Sequence, residues 1–278
     1  MKNLITRTLT GVIFVAVVVG GIWLHPWLFL CVFGLVTGGL LWEFQALANP
    51  GATGLFKRLA ASLGGVYLFA ATFVYANGWM GGGVFLPYLL FLMYTLIAEL
   101  YSRSPRPVND WASALFAQAY CAGSFSLLNF IAFVPAGKEG GGDFTPLFTL
   151  AVFVFVWVND TGAYLVGSTF GKRRLFERIS PKKSWEGFGG GMLATLLSSQ
   201  LFAWLCPEVS RYDWLALSGC IVLFATWGDL IESLLKRSAG VKDSGDILPG
   251  HGGMLDRFDS ILLAIPAAYI YIEWFIRN

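Results

Sequence analysis

The sequence predicts an all-α fold of the polytopic membrane class, a helical bundle with about nine transmembrane helices. Three observations support this class. The chain is 56% hydrophobic, only 13% of its residues are charged, and its mean hydropathy is +0.65. A soluble domain has about a quarter of its residues charged. The apolar runs are also about 20 residues long, the length with which a helix crosses the hydrocarbon core of a bilayer.

Nine apolar runs can be placed in order along the chain. They lie near 8–24, 27–48, 59–77, 82–101, 111–134, 146–168, 187–206, 213–235 and 258–276. The first run follows Lys2 and Arg7, as in a signal peptide, but it ends in Trp-Leu-His-Pro without a small-residue cleavage site, so we expect a retained helix. With no long linker or repeat, we predict one membrane domain over 1–278, with N-terminal spans in 1–145 and the functional spans in 146–278.

The basic residues predict the orientation of the chain. With nine spans, every lysine and arginine except Lys138, Arg211 and Arg277 falls at the N-terminus or in the loops after spans two, four, six and eight. The positive-inside rule then puts the N-terminus and the two long polar loops in the cytoplasm.

Span six contains an acid. An unbroken apolar run over 151–158 is followed by Asn159 and Asp160, and Tyr164 lies one turn later on the same helix face. A carboxylate inside a membrane span is costly, so it suggests a functional site. The alternative is a structural hydrogen bond between helices.

The loop before span seven places hydroxyl and ammonium groups directly ahead of a glycine-rich helix start. Its polar members are Ser180, Lys182, Lys183, Ser184 and Glu186. This pattern is typical of an anion-binding helix N-terminus. We expect Ser180 to cap a short turn that begins at Pro181. The alternative is that the lysines only mark a cytoplasmic loop.

Span eight ends in a polar stripe. Asp229, Glu232, Ser233 and Lys236 are spaced at i, i+3, i+4 and i+7, which places them on one side of a helix. This face is expected to point into the bundle or a wet cavity. The alternative is an amphipathic helix end at the membrane interface.

Residues 233–259 form a dense polar block in this apolar chain. Lys236, Arg237, Lys242 and Arg257 can neutralise phosphate oxygens, and Gly252 and Gly253 permit close backbone approach. Asp256 and Asp259 lie at the start of span nine, where they can join Asp229 around a cation. Mg²⁺ needs only one or two protein carboxylates beside water and phosphate oxygens. His251 is the candidate imidazole, either for proton transfer or for orienting a phosphate or the loop.

These blocks, in this order, resemble the phosphatidate cytidylyltransferase family, the CDP-diacylglycerol synthases. The family's closing signature is filled at every position, by Ser233, Lys236, Arg237, Lys242, Asp243, Gly245, Leu248, Pro249, His251, Gly252, Gly253, Met254, Asp256, Arg257, Phe258 and Asp259. The stretches 159–164 and 180–187 are similar to its upstream motifs. The resemblance covers roughly residues 150–278.

The resemblance implies that CTP and phosphatidate react to give CDP-diacylglycerol and pyrophosphate, an early step of phospholipid biosynthesis. It implies a Mg²⁺ cofactor and leaves room for a second, monovalent cation. Asp229 and Asp256 would bind the metal, with Asp259 and Asp160 in support. The phosphates would meet Lys182, Lys183, Lys236, Arg237 and Arg257, with hydrogen bonds from Ser180, Ser184 and Ser233.

The expected partners follow from the same resemblance. They are CTP, the phosphatidate lipid and the bilayer, with no nucleic acid, and a homodimer is the expected assembly. We expect a bacterial-type inner membrane and an active site near its cytoplasmic face, since one substrate is soluble and the other is a lipid. Two other functions fit parts of the pattern: a polyprenol kinase that uses CTP, and a secondary transporter for an anionic solute with Asp160 and Asp229 on its pathway.

Overall fold

Ten α-helices make up most of the computed structural model, which describes residues 2–48, 54–102, 104–134, 142–245, 247 and 252–277, with the side chains of 2–7 and 134 outside the description. The helices are α1 (Lys2–Trp23), α2 (Pro26–Ala48), α3 (Leu55–Ala76), α4 (Leu86–Leu100), α5 (Pro107–Ala117), α6 (Ser124–Ala132), α7 (Pro146–Phe170), α8 (Trp185–Leu205), α9 (Arg211–Ser238) and α10 (Leu255–Tyr271). A π-helical turn, Gln118–Gly123, joins α5 to α6.

The helices confirm the predicted class of an integral membrane protein. Within the described residues, eight helical segments are long and apolar enough to cross a bilayer: α2, α3, α4 with its preceding turn, α5–α6, α7, α8, α9 and α10 with its final turn. The apolar part of α1, Thr8–Trp23, is shorter. Each of the nine predicted runs therefore coincides with a helical segment.

Two short antiparallel hairpins interrupt the helices. Strands β1 (Phe133–Val134) and β2 (Asp143–Phe144) pair with each other, as do β3 (Arg174–Phe176) and β4 (Ser180–Ser184). The sequence predicted neither hairpin.

The chain divides into two compact units. The first comprises Met1–Pro146 and Ala239–Arg257, and the second comprises Leu147–Ser238 and Phe258–Asn278. Residues 239–257 of the polar block thus fall in the unit that contains the N-terminal helices, whereas the sequence-based prediction grouped the whole block with the C-terminal spans. The prediction of a single membrane domain stays a prediction.

In the first unit, α2 and α3 pack through aromatic side chains. Phe29 lies 4.9 Å from Phe33 and 5.9 Å from Phe69 between ring centroids, and all three are fully buried. Buried Asn129 of α6 donates hydrogen bonds to the Phe69 carbonyl, at 3.0 Å, and to Thr72 Oγ1, at 2.8 Å. Such polar side chains join helices where apolar surface alone gives no preference for a neighbour.

A second polar contact of the first unit joins α3 to α4. Lys57 Nζ lies 2.7 Å from Glu99 Oε2 and 3.2 Å from Ser102 Oγ. The Glu99 side chain is only 6% exposed. Its charge is therefore balanced within this pair of helices.

In the second unit, small residues bring α7 and α8 close together. A Cβ atom added to Gly191 would lie 2.7 Å from the Asn159 carbonyl oxygen, and one added to Gly162 would lie 3.0 Å from Ala194 Cβ. Such close approach is the usual role of glycine between membrane helices. In the same unit, the ring centroids of Trp214 on α9 and Phe202 on α8 lie 5.5 Å apart.

The start of α8 corrects one prediction from the sequence. Ser180 does not cap a turn at Pro181, because Ser180–Ser184 is strand β4. Ser184 is the N-cap instead, since its Oγ accepts the Gly187 N–H at 3.1 Å. The hairpin register places Ser184 opposite Arg174, so β4 carries the chain directly into α8.

Ser184→Ala is expected to lower the free energy of unfolding by about 1 kcal/mol, because the Gly187 N–H loses its acceptor. Thermal or chemical denaturation in one detergent measures this change. Ser180→Ala is the matched control, since it removes a hydroxyl from the other end of the same strand. Equal losses in the two variants would contradict the capping role.

Candidate active site

A cavity of about 580 Å³ lies in the second unit, among α7, the β3–β4 hairpin, α8 and α9. Its lining includes Asn159, Asp160, Tyr164, Gly167, Arg174, Lys182, Lys183, Ser184, Gly187, Thr226 and Asp229. Residues of span six, the loop before span seven and the end of span eight therefore come together here. All three segments were predicted from the sequence to contribute to one site.

Asp229 and Lys183 form an ion pair in this cavity. The Lys183 ammonium contacts Asp229 Oδ2, and each side chain is 26% exposed. Ser233, one turn further along α9, donates its hydroxyl to Asp229 Oδ1 at 3.3 Å. Ser233 thus helps to hold Asp229 in place, while part of each side chain of the ion pair remains exposed.

Two further aspartates interact with Asp229. Asp160 on α7 interacts electrostatically with both Asp229 and Lys183, and Asp259 on α10 interacts with Asp229, Asp160 and Glu232. The Ser260 N–H donates to Asp259 Oδ1 at 2.6 Å. Ionised carboxylates in one site repel one another, and a cation among them lowers that repulsion.

Asn159 is buried between α7 and α8. It is 3% exposed, and its Oδ1 accepts no hydrogen bond from the part of the chain that the structure describes. That oxygen faces the backbone of Gly191. The predicted substrate contact of Asn159 stays a prediction, and its packing against Gly191 is the observed role.

Glu186 and Lys236 have partners within the protein. Glu186 accepts the backbone N–H groups of Lys172, at 3.1 Å, and Arg173, at 3.1 and 3.2 Å, and so anchors the entry to β3. Lys236 Nζ lies 2.6 Å from Oε2 of the fully buried Glu232. Contact of these two side chains with substrate remains a prediction, as it does for exposed Arg237.

Asp256 and its neighbours belong to the first unit, at the start of α10. Asp256 Oδ2 accepts hydrogen bonds from the Ser244 N–H at 2.9 Å, the Ser244 hydroxyl at 3.1 Å and the Gly253 N–H at 2.9 Å. Gly252 has φ +82°, a left-handed conformation that side chains disfavour. Lys242 and Arg257 are exposed.

Glu43 on α2 was not predicted from the sequence as a functional residue. Its carboxylate is 3% exposed and accepts hydrogen bonds from Met254 N–H, Leu255 N–H and the Ser244 hydroxyl at 2.7, 2.8 and 2.9 Å. The signal was available, because an acid inside an apolar span suggests function wherever it occurs. Glu43 is marked by the same signal as Asp160, since each lies inside an apolar helix.

The predicted metal ligands fall in both units. Asp229 and Asp259 belong to the second unit and Asp256 to the first, so their meeting around one cation stays a prediction. Among the described residues, no group of three or more aspartate, glutamate, histidine or cysteine side chains is arranged to hold a metal by itself. His251 lies outside the described residues.

The helices and the charged cavity define a class, the polytopic membrane proteins that hold an ionic site among their helices. A model described as the cytidylyltransferase family matches residues 5–275. The chain belongs to that family.

Curated relatives agree with this assignment. The chain is 33% identical to the phosphatidate cytidylyltransferase of Haemophilus influenzae, over 95% of this chain and 97% of that protein. It is 46% identical to the Bacillus subtilis phosphatidate cytidylyltransferase over 44% of this chain and 46% of that protein. It is 40% identical to the Staphylococcus epidermidis protein of the same name over 65% of each. The family named by resemblance from the sequence is confirmed.

Proposed function

We propose that this protein transfers CMP from CTP to phosphatidate, giving CDP-diacylglycerol and pyrophosphate. The observation that carries the proposal is the similarity, along almost the whole chain, to a relative named phosphatidate cytidylyltransferase. The cavity of the second unit supports it, since it offers lysines, an arginine and carboxylates beside apolar helices.

The proposed reaction is a displacement at the α-phosphorus of CTP. An oxygen of the phosphatidate phosphate attacks the α-phosphorus of CTP, and a new P–O bond forms. The bond from that phosphorus to the bridging oxygen breaks, and its electron pair leaves with pyrophosphate. No nucleophile from the protein is required, so catalysis rests on in-line positioning and on neutralising charge.

Basic side chains on the β3–β4 hairpin are suited to the phosphates. Arg174, Lys182 and Lys183 line the cavity, and charge-assisted hydrogen bonds from such groups to phosphate oxygens are strong. Lys183 would exchange Asp229 for a phosphate oxygen when substrate binds. Ser184 lines the same cavity, and its hydroxyl hydrogen remains available for donation while its oxygen caps α8.

The carboxylates are suited to Mg²⁺. Their oxygens are the hard ligands that Mg²⁺ takes, and the ion completes its shell with water and phosphate oxygens. The Lys183 ammonium already lies against Asp229 as a counter-cation would. We assign Asp229, Asp259 and Asp256 as ligands, with Asp160 in support. The bound ion would neutralise negative charge on the triphosphate.

The charge distribution supports an orientation for the active site. The segments 172–183 and 236–257 hold much of the basic charge, and basic segments at the ends of spans face the cytoplasm. There a soluble nucleotide and a leaflet lipid can both reach the cavity. A bacterial inner membrane and a homodimer complete the proposal.

Product identification tests the proposed function. Purified protein with CTP labelled in the cytosine ring, phosphatidate and Mg²⁺ is expected to release pyrophosphate and to move the label into the lipid fraction. Transfer of the γ-phosphate to a polyprenol with release of CDP would contradict the proposal, as would the absence of any labelled lipid.

Removal of divalent cations with EDTA is expected to stop the reaction, and activity that survives it would remove the metal assignment.

A further inference from the structure

Glu43 is a buried carboxylate to which the proposed reaction gives no role. It lies in the C-terminal part of α2, inside a span, with 3% of its surface exposed. An acid buried in a membrane span is costly unless its oxygens are paired or hydrogen-bonded. The hydrogen-bond partners of Glu43 must therefore offset the cost of burying its carboxylate.

Both carboxylate oxygens of Glu43 bind the segment that starts α10. Oε1 accepts the Met254 N–H at 2.7 Å, and Oε2 accepts the Leu255 N–H at 2.8 Å. The first N–H groups of a helix have no partner within the helix and carry the positive end of its dipole. Glu43 thus supplies from α2 the acceptors that the start of α10 lacks.

Ser244 extends this contact to Asp256. Its hydroxyl oxygen lies 2.9 Å from Glu43 Oε2 and 3.1 Å from Asp256 Oδ2, and its backbone N–H donates to Asp256 as well. One hydroxyl hydrogen cannot fully serve two carboxylates at once, so Ser244 couples them. Glu43 and Asp256 are therefore parts of one hydrogen-bond network within the first unit.

Two glycines allow the network to close. A Cβ atom on Gly253 would collide with Ser244 Oγ and Glu43 Oε2, and one on Gly245 would lie 2.9 Å from Glu43 Oε1. The backbone passes this close to the carboxylate only because neither residue has a side chain. The packing of residues 244, 245 and 253–255 is thus fitted to Glu43.

We propose that Glu43 is a positioning residue, which holds Ser244 and the start of α10 so that Asp256 is oriented for the cation and the triphosphate. The inference rests on the proposed function for the role of Asp256. It adds a residue from the N-terminal half of the chain to the machinery of the C-terminal signature.

Glu43→Gln is the principal test. The amide keeps the size of the side chain but replaces one acceptor by an NH₂ group, which then faces either the Met254 N–H or both the Leu255 N–H and the Ser244 hydroxyl. We expect amide exchange of residues 253–256 to become about tenfold faster, because one or two hydrogen bonds are lost. We also expect kcat to fall at least about tenfold and the half-activating Mg²⁺ concentration to rise, with KM for phosphatidate changed little.

Glu99→Gln is the matched control. Glu99 is also a buried span carboxylate of the first unit, but it forms an ion pair with Lys57 on α3. This variant reports the general cost of neutralising a buried acid. It is expected to leave exchange at 253–256 and the Mg²⁺ dependence as in the unmodified protein.

Ser244→Ala keeps the test decisive if Glu43→Gln fails to fold. It leaves the Glu43 side chain with both N–H donors and removes only the shared hydroxyl. We expect a several-fold loss of kcat. Where Glu43→Gln does fold, the combined loss in the double variant is expected to be smaller than the product of the two single losses, because both substitutions break one network.

The outcomes separate the two proposals. Unchanged exchange at 253–256 in Glu43→Gln, an unchanged kcat in Ser244→Ala, or independent losses in the double variant would each overturn the positioning role. The exchange measurement needs no turnover. An unmodified protein that forms no CDP-linked lipid would therefore remove the proposed function, whereas faster exchange in Glu43→Gln would still establish the structural link from Glu43 to Asp256.

Discussion

Asp229→Asn is expected to lower kcat for CDP-diacylglycerol formation by about 10³-fold, which corresponds to about 4 kcal/mol of lost transition-state stabilisation. The substitution keeps the shape of the side chain and removes one negative charge. Lys183 then loses its ion-pair partner, and Asp160 and Asp259 each lose the charge of Asp229, with which both interact. The change in kcat is measured on purified protein from the rates of pyrophosphate release and of labelled-lipid formation.

Asp213→Asn is the matched control for this prediction. Asp213 lies in the first turn of the same helix, α9, and accepts a hydrogen bond from the Tyr271 hydroxyl at 3.2 Å. It takes no part in the cavity lining. We expect near-normal kcat in this variant. A loss below tenfold in Asp229→Asn, with the protein folded, would remove Asp229 from the reacting machinery.

Gly191→Ala is expected to lower the free energy of unfolding by about 1–3 kcal/mol, the usual effect of overpacking a tight interior. The new methyl group would lie 2.5 Å from Asn159 Oδ1 and 2.7 Å from the Asn159 carbonyl oxygen. The carbonyl belongs to the α7 backbone and cannot rotate away, so the two helices must separate. A fall of several degrees in Tm, measured in a fixed detergent, is the expected result.

Gly189→Ala is the control on the same helix. A Cβ atom there meets nothing within 4 Å, and alanine favours a helix over glycine by about 1 kcal/mol. We therefore expect Tm to stay the same or to rise. Equal changes of Tm in the two variants would contradict close packing of α7 on α8 at Gly191.

The helices were predictable because a bilayer allows few alternatives. An apolar run that crosses the hydrocarbon core must satisfy its backbone internally, so length and hydropathy locate the spans. The β3–β4 hairpin was not predictable in the same way. Strand β4 reads Ser-Pro-Lys-Lys-Ser, whose residue types are poor strand formers, and pairing with β3 overrides that local preference.

Part of the candidate site was predictable, and the reason lies in how its residues are spread along the chain. Asp160, Lys183 and Asp229 each stand out as polar residues within or beside apolar spans, and the structure brings them together. The contact of Glu43 with Met254 joins residues 211 positions apart. A single sequence does not show which distant elements pack together, so the partner of the α10 N-terminus could not be identified.

The β3–β4 hairpin has a consequence for the entropy of ligand binding. Glu186 fixes its start through the Lys172 and Arg173 N–H groups, and Ser184 fixes its end by capping α8. Ordering a backbone costs about 1–2 kcal/mol per residue. Because this segment is ordered during folding, a polyanion that meets Lys182 and Lys183 does not have to immobilise a free loop, and more of the electrostatic attraction appears as affinity.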